Sequence, residues 1–184
     1  MTQPRKKEPL EIERKFLIRM PDTETLERLS TRRIGITQIY LTPGAGGSVR
    51  RLRHSCWDGG EARYFTEKLR LSDRTRIERE REITREEWEE LYPQRDEKLR
   101  IIEKVRWCVP YAGHTLEIDV FPFWSDRAFC EAELESEDEP LELPDWLRVV
   151  REVSADRRYT NYALARRLPE EDLDVPLISG GDVV

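Results

Sequence analysis

Charged residues recur at every second position in several short segments of this chain, and this spacing restricts its fold more than any other feature. Glu78, Glu80 and Glu82 form a row of acids, and Arg51 and Arg53 form a row of bases. Because successive side chains of a β-strand point to opposite faces, each row would lie on one face of a sheet. In other segments the intervening residues are apolar, so the pattern predicts strands with one apolar face and one ionic face.

Eight segments show this two-residue period, and Gly-rich or polar turns separate several of them. The predicted strands are 10–18, 36–41, 48–54, 62–71, 76–83, 100–109, 115–121 and 128–136. Residues 111–114 indicate a tight hairpin, and residues 43–47 and 58–60 indicate further turns. Eight short strands with few helices predict a mainly β fold, either a barrel or a sandwich, with flanking helices.

Three helices are predicted, at 22–30, at 84–92 and at 156–168. Thr84 and Glu87 form a capping box that begins the second of them. Residues 74–91 could instead form a single charged helix with Glu and Arg four residues apart. The capping box favours the other interpretation, in which a strand runs to Ile83 and a helix follows.

Length and composition favour one soluble domain. We expect a flexible lead at 1–8, a single domain at 9–168 and a flexible acidic tail at 169–184. Charged residues make up 38% of the chain, but the net charge is only −6, which argues against a nucleic-acid or anionic-membrane binder. No apolar run approaches the roughly 20 residues of a membrane span. The sequence therefore predicts that neither nucleic acid nor membrane is a required partner.

Cysteine and histidine usage limits the chemistry further. Cys56, Cys108 and Cys130 form neither a disulfide framework nor a zinc-binding spacing, so reduced thiols and a cytoplasmic location are expected. His54 and His114 are the only histidines. Two histidines give little support to a nucleophilic triad built on histidine or to a His-rich metal site.

The charged rows themselves admit two interpretations. One face of an antiparallel sheet is commonly solvated, so any single row could be ordinary surface. Solvated faces usually mix charges of both signs, however, because adjacent like charges repel each other. A face with separate rows of acids and bases fits a polyanionic ligand that carries metal, since bases neutralise phosphate oxygens and clustered carboxylates bind Mg²⁺ or Mn²⁺.

The order of the motifs resembles the CYTH superfamily, the triphosphate tunnel metalloenzymes. Residues 11–15, Glu-Ile-Glu-Arg-Lys, are similar to the Glu-x-Glu-x-Lys signature of that family. Segments similar to its later motifs follow in family order at 36–41, 51–53, 66–68, 80–82, 104–106, 117–121, 132–135, 144–147, 152–154 and 158–161. The resemblance covers residues 9–168 and implies a closed eight-stranded antiparallel β-barrel, a tunnel with the charged rows in its lumen.

The resemblance also implies a role for each charged row. Bases would bind phosphate, while acids would hold Mg²⁺ or Mn²⁺, with two ions expected, or would orient water. The predicted substrate-binding residues are Lys15, Arg51, Arg53, Lys68, Lys104, Arg106 and Arg158, the last on the third helix at one mouth. The predicted metal ligands are Glu11, Glu13, Glu117, Asp119, Glu133 and Glu135, and the predicted catalytic residues are Lys15, Glu80, Glu82 and Asp119. For Glu78 and Glu131, the sequence leaves open whether the side chain faces the lumen or lies on a solvated flank.

The expected function is metal-dependent hydrolysis of a linear triphosphate, from tripolyphosphate to pyrophosphate and phosphate, with nucleoside triphosphates as further substrates. The expected partner is thus a small polyanion, and a homodimer is left open. A class IV-type adenylate cyclase and a thiamine triphosphatase are alternatives within the family. A non-catalytic module that binds polyphosphate or nucleotides is the alternative outside it, although a pure anion binder gains nothing from the acidic rows. The sequence contains no Walker A loop.

Overall fold

Strands dominate the computed structural model of the chain, which describes residues 12–70, 76–170 and 173. The strands are β1 (Ile12–Arg19), β2 (Arg32–Leu41), β3 (Val49–Trp57), β4 (Gly60–Arg70), β5 (Arg76–Glu82), β6 (Ile102–Tyr111), β7 (His114–Val120), β8 (Arg127–Leu134) and β9 (Val149–Glu152). The helices are α1 (Thr23–Leu29), α2 (Arg85–Leu91) and α3 (Asn161–Arg166), with 3-10 turns at Ala45–Gly47, Tyr92–Gln94 and Arg157–Tyr159. Within these ranges, no helix has the length and apolar character needed to cross a membrane.

All of these strands belong to one antiparallel sheet in the order β5-β4-β3-β2-β6-β7-β8-β1-β9, which confirms the predicted mainly β antiparallel class. The sheet has nine strands rather than the predicted eight, and the described residues contain no hydrogen-bonded ladder that closes it into a ring. The ninth strand, β9, pairs with Phe16, Leu17 and Ile18 on the outer edge of β1 and places Glu152 opposite Phe16. Val149 and Val150 are both buried, so β9 lacks the alternation that marks the other strands.

The local signals around β5 and β6 are confirmed. The β6–β7 connection consists of Ala112 and Gly113, with φ of 44° and 85°, and two consecutive positive φ angles are typical of a two-residue hairpin turn. β5 ends at Glu82 and α2 follows, as the capping box predicts. Thr84 accepts a hydrogen bond from the backbone of Glu87, and the Glu87 carboxylate accepts one from the backbone of Thr84.

The third predicted helix is wrong in extent. Residues 156–168 divide into the 3-10 turn Arg157–Tyr159 and the short α3. Thr160 separates them because its backbone is extended and its hydroxyl accepts a hydrogen bond from the backbone of Ala163 at 3.2 Å. A residue that caps a new helix cannot continue the preceding turn.

Two apolar clusters cover the convex face of the sheet. In the first, Leu26 of α1 and residues between 141 and 149 pack against β1, β6, β7 and β8. In the second, Trp88 and Leu91 of α2 pack against β2 and β3. With the convex face covered, the alternate side chains of these strands project from the opposite, concave face.

A third cluster lies on the concave face and shows how strongly the sheet curves. It contains Leu17, Phe129, Phe121, Ile102 and Tyr40, which come from β1, β8, the end of β7, β6 and β2. Five adjacent strands in a flat sheet would span about 19 Å, so their side chains share one cluster only because the sheet curls. Tyr159 and Leu164 cover this cluster. We call these seven residues the apolar floor, because they close one end of the concave face.

Candidate functional site

Strand register places the predicted rows of charge on the concave face. Lys15 lies opposite Glu131, and Arg106 lies opposite Asp119. On the other half of the sheet, Thr66 lies between its partners Arg51 and Glu80. Directly opposed residues of antiparallel strands point to the same face, so β1 and β3 through β8 direct acids and bases to one side.

Next to the apolar floor, six side chains form what we call the buried ion network: Lys15, Lys104, Arg106, Glu117, Asp119 and Glu131. Arg106 donates to both oxygens of Asp119 at 2.7 Å and to Glu131 at 2.6 Å, and it also bonds to Glu117. Lys15 Nζ lies 2.7 Å from Glu131 Oε1, and Lys104 bonds to the fully buried Asp119. One guanidinium group therefore holds three carboxylates together.

Mutual pairing keeps Asp119 and Glu131 of the buried network charged. Burial acts to raise the pKa of Asp119, but Lys104 and Arg106 outweigh it and lower this pKa to about 2. The pKa of Glu131 is likewise lowered, because Lys104 and Lys15 outweigh burial. Burial lowers the pKa of Lys104, in opposition to its pairing. We assign the Lys104–Asp119 pair to its ionised form because Arg106 donates two further hydrogen bonds to the same carboxylate.

Carboxylates crowd together on the side of the network away from the floor. Glu13 lies opposite Glu133. Glu13 is an exposed position of β1, but partial desolvation by its neighbours on the concave face, followed by repulsion from Glu131, raises its pKa to about 7 in spite of Lys15 and Arg106. Burial also raises the pKa of Glu117. Acids that resist ionisation in this way would be relieved by a bound cation.

The donors in this region fit Mg²⁺ or Mn²⁺ by their chemistry, since both ions prefer hard carboxylate oxygens. Across the described ranges, however, no three Asp, Glu, His or Cys side chains already converge as a metal site. Arg106 and Lys15 bind the nearest carboxylates instead. Glu133 and Glu135 are exposed beside them, and the predicted ligand Glu11 lies outside the described residues.

A second group of side chains, which we call the arginine cluster, consists of Arg51, Arg53, Thr66 and Glu80. Arg53 donates to Glu80 at 2.8 Å, and Arg51 donates to the same carboxylate at 3.3 Å and to Thr66 at 3.2 Å. Burial opposes ionisation of Glu80, but the Thr66 hydroxyl at 2.7 Å and the two arginines outweigh it and lower the pKa of Glu80. Burial lowers the pKa of Arg53, against the attraction of Glu80. One carboxylate thus serves two guanidinium groups.

The remaining predicted residues lie outside these two groups. Lys68 is half-buried on β4, opposite Val49 and Glu78. Glu82 is exposed on β5. Arg158 lies in the 3-10 turn rather than in a helix, and its exposed guanidinium group bonds to Asp156 at 2.7 Å. The side chain of Glu78 lies outside the described residues, so its orientation stays a prediction.

Three buried polar residues of the concave face were not predicted site residues. Glu131, which the sequence left open, is 5% exposed and bonds to Lys15 and Arg106. Its place two residues before Glu133 was the signal that it shares a face with the predicted ligand. Thr66 is fully buried beneath Glu80, and Gln38 is 3% exposed on β2. Thr66 shares the predicted face of Lys68 and begins the motif at 66–68, but no role was assigned to it. The neutral side chain of Gln38 does not appear in a search for alternating charges, although its position in β2 gives it the correct parity.

Comparisons with known proteins agree with the fold. The chain is similar to the inorganic triphosphatase NE1496, with 33% identity over 87% of this chain and 97% of that chain, and a TM-score of 0.56. A second crystal structure of NE1496 gives 33% identity over 87% of this chain and 100% of that one, with a TM-score of 0.57. PH1819 from Pyrococcus horikoshii OT3 shares the fold, at 19% identity over 69% of this chain and 81% of that chain, with a TM-score of 0.50.

No protein-family model matches the chain, and no curated protein matches it significantly. The similarity to NE1496 nevertheless spans nearly the whole length of both chains at one identical residue in three. The chain therefore belongs to the CYTH superfamily, the triphosphate tunnel metalloenzymes.

Proposed function

We propose that this protein is a metal-dependent triphosphatase, which hydrolyses linear tripolyphosphate to pyrophosphate and phosphate and accepts nucleoside triphosphates as further substrates. The observation that carries the proposal is the concave face, where the buried ion network and the arginine cluster face one space above an apolar floor. Similarity over most of the chain to a protein named as an inorganic triphosphatase supports the same reaction.

The bases of the concave face bind the phosphate chain by exchanging partners. Arg51 and Arg53 share Glu80, so a phosphoryl group can replace that carboxylate and take bidentate hydrogen bonds from the guanidinium groups. Lys15 and Arg106 are held by carboxylates in the same way. The apolar floor excludes water below the bases, which strengthens each of these charge interactions.

Mg²⁺ or Mn²⁺, with two ions proposed, would be held by Glu13, Glu117, Glu133 and Glu135, with Asp119 and Glu11 as the other proposed ligands. When bound, such ions supply charge neutralisation for the phosphate oxygens and an acidified water molecule. Glu13 must lose its proton to act as a ligand. Arg106 must release Glu117 and Glu131 and turn to phosphate, so metal and substrate favour each other's binding.

Hydrolysis then requires positioning more than covalent chemistry, because phosphoryl transfer proceeds by electrostatic stabilisation of an in-line displacement. Water attacks the terminal phosphorus, the bridging P–O bond breaks, and pyrophosphate leaves with that electron pair. Glu80 or Glu82 accepts the proton of the attacking water. Lys15 neutralises charge on the transferring group, and its ammonium group is positioned by Glu131 and by the Phe129 ring, 4.1 Å from the Nζ atom.

Phosphate release from tripolyphosphate, ATP and thiamine triphosphate tests the proposal, measured with a series of Mg²⁺ and Mn²⁺ concentrations and with a chelator. We expect release from tripolyphosphate that requires metal. Release from thiamine triphosphate alone would assign a thiamine triphosphatase, and cyclic AMP formed from ATP would assign a cyclase. Binding of tripolyphosphate without any release would assign a binding module.

Variants of β1 test the residues behind the activity. Lys15→Ala and Glu13→Ala should each lower turnover by a factor of about 10² or more, as loss of an electrostatic catalytic group does. Arg14→Ala is the matched control, because Arg14 lies between them, points to the other face and pairs with Glu152 at 2.7 Å. Near-normal rates for both test variants would refute the site assignment.

A further inference from the structure

Gln38 is a buried polar residue on the concave face that the proposed reaction has not yet used. It is 3% exposed, and its carbonyl oxygen Oε1 has no hydrogen-bond partner among residues 12–70, 76–170 and 173. An unpaired buried carbonyl destabilises the fold, so such a group calls for a specific explanation. A ligand that supplies the missing hydrogen bond in the functional state is one such explanation.

The neighbours of Gln38 identify the chemistry of that ligand. Gln38 lies directly opposite Arg53 on β3 and Ile102 on β6. Nε of Arg53 and Nε of Arg51 are also buried without a hydrogen-bond partner in the described ranges. Two unused N–H donors on cationic groups call for an anionic oxygen. The amide of Gln38 and Nε of Arg53 do not satisfy each other although they lie on opposed residues, which leaves them free to bind a common group.

The amide of Gln38 can adapt to either a water molecule or a phosphoryl group. Its oxygen accepts a hydrogen bond from water, whereas rotation of the amide by a half turn presents two N–H donors. A phosphoryl oxygen needs such donors and carries no hydrogen of its own. A neutral donor also adds a hydrogen bond without adding another charge to a face that already contains Arg51, Arg53 and Lys104.

The position of Gln38 decides which phosphoryl group it meets. Its partner Ile102 and its neighbour along the same face, Tyr40, both belong to the apolar floor. Tyr162 of α3 packs against Tyr40 with ring centroids 5.0 Å apart. No further phosphate or nucleoside can lie beyond Gln38 without displacing that apolar cluster, so the end of the phosphate chain must stop there.

We propose that Gln38 is a substrate-contacting residue, whose side-chain amide donates a hydrogen bond to the terminal phosphoryl group where the chain ends beside Arg53. This inference rests on the proposed function and deepens it, because it makes the protein specific for substrates that have a free terminal phosphate. Linear polyphosphates and nucleoside triphosphates would enter with their terminal phosphate first. A phosphate diester, which has no free end, would be excluded.

The test uses the full chain with Gln38→Leu, which keeps most of the volume and removes both polar atoms, and with Gln38→Met as a second variant should Leu fail to fold. Thr37→Val is the matched control, because Thr37 is the adjacent residue on the opposite face of β2. Calorimetry with tripolyphosphate and a chelator measures affinity without turnover. Melting of the ligand-free protein measures stability separately.

Loss of one hydrogen bond to a charged group should weaken tripolyphosphate binding about 10- to 100-fold in Gln38→Leu, while Thr37→Val stays within about threefold. The ligand-free Gln38→Leu protein should melt at the wild-type temperature or above it, because an unpaired carbonyl has been removed.

Wild-type affinity in the Leu or Met variant would overturn the inference, as would a wild-type protein that does not bind tripolyphosphate. Wild-type phosphate release combined with unchanged Gln38→Leu affinity would reject the contact and leave the triphosphatase standing. Weakened binding by Gln38→Leu, together with a wild-type protein that releases no phosphate, would support the contact and reject the triphosphatase.

Discussion

Individual side chains on the concave face differ in how their charges are compensated. Arg106 is 17% exposed and bonds to Asp119, Glu117 and Glu131. Arg53 is 28% exposed and bonds to Glu80, which is itself 32% exposed. Removing one partner of a buried ion pair leaves an uncompensated charge, whereas a half-exposed pair is screened by water. The two arginines should therefore differ in their effect on stability even though both are proposed to bind phosphate.

Arg106→Ala should lower the free energy of unfolding by about 3–5 kcal/mol, because Asp119 and Glu131 remain buried with fewer partners. Arg53→Ala should lower it by no more than about 1 kcal/mol. Urea unfolding of both variants measures the difference, and phosphate release should fall in both. Equal stability losses in the two variants would show that the network around Arg106 is not the more strongly coupled of the two.

The sequence predicted which side chains share the concave face but not how they pair. Strand parity grouped the charges within each strand, because parity depends only on local geometry, and the family resemblance placed the rows of Lys15, Arg106 and Asp119 in one lumen. Their pairing depends on strand order and register, which set Lys15 opposite Glu131 and Arg106 opposite Asp119 and leave only β7 between Arg106 and Glu131. Strand order and register are properties of the assembled sheet and leave no signal in any one segment. For the same reason the burial of Glu131 could not be decided beforehand.

Among the elements, α2 and α3 are both short helices capped by a threonine, but they lie on different sides of the sheet. Thr84 caps α2 on the convex face, and Thr160 caps α3 beneath the apolar floor. Thr84→Ala and Thr160→Ala should each lower the free energy of unfolding by about 1 kcal/mol, the usual cost of a lost cap. Only Thr160→Ala should also lower phosphate release, because Tyr162 of α3 supports Tyr40. Equal activity of the two variants at matched stability would show that α3 does not shape the site.

The elements that sequence reasoning missed share a physical cause. The long strands have regular alternation, so their existence was predicted and only their ends shifted, as with β2 beginning at Arg32 instead of at 36. β9 has four residues and both of its valines are buried, so tertiary contact rather than periodicity makes it a strand. Thr160 ends the 3-10 turn by capping α3, and Tyr159 and Leu164 on either side of it pack into the apolar floor, a contact that no periodicity announces.

For the whole molecule, stability against pH combines opposing contributions from the concave face. The pKa of Asp119, Glu131 and Glu80 is lowered by folding, so these residues stabilise the fold above their unfolded pKa of about 4 and lose that contribution as pH falls. Glu13 does the opposite. Its pKa rises from 4.5 to about 7 in the fold, so between these values the folded state binds more protons than the unfolded chain, and stability declines as pH rises.

The metal-free protein should therefore be most stable near pH 5 and lose stability both below about pH 4 and toward pH 7.5. Urea unfolding in the presence of a chelator, repeated from about pH 2.5 to about pH 8 to span both limbs, measures the curve. Glu13→Gln should remove most of the decline between pH 5 and 7.5 and leave the acid limb unchanged, because the amide does not titrate beside Glu131, Lys15, Lys104 and Arg106. Glu103→Gln, at an exposed position on β6, should reproduce the wild-type curve. A wild-type curve that rises steadily to pH 7.5 would contradict the assignment of Glu13 as a carboxylate whose charge the fold opposes. The concave face would then need no cation to hold its acids together.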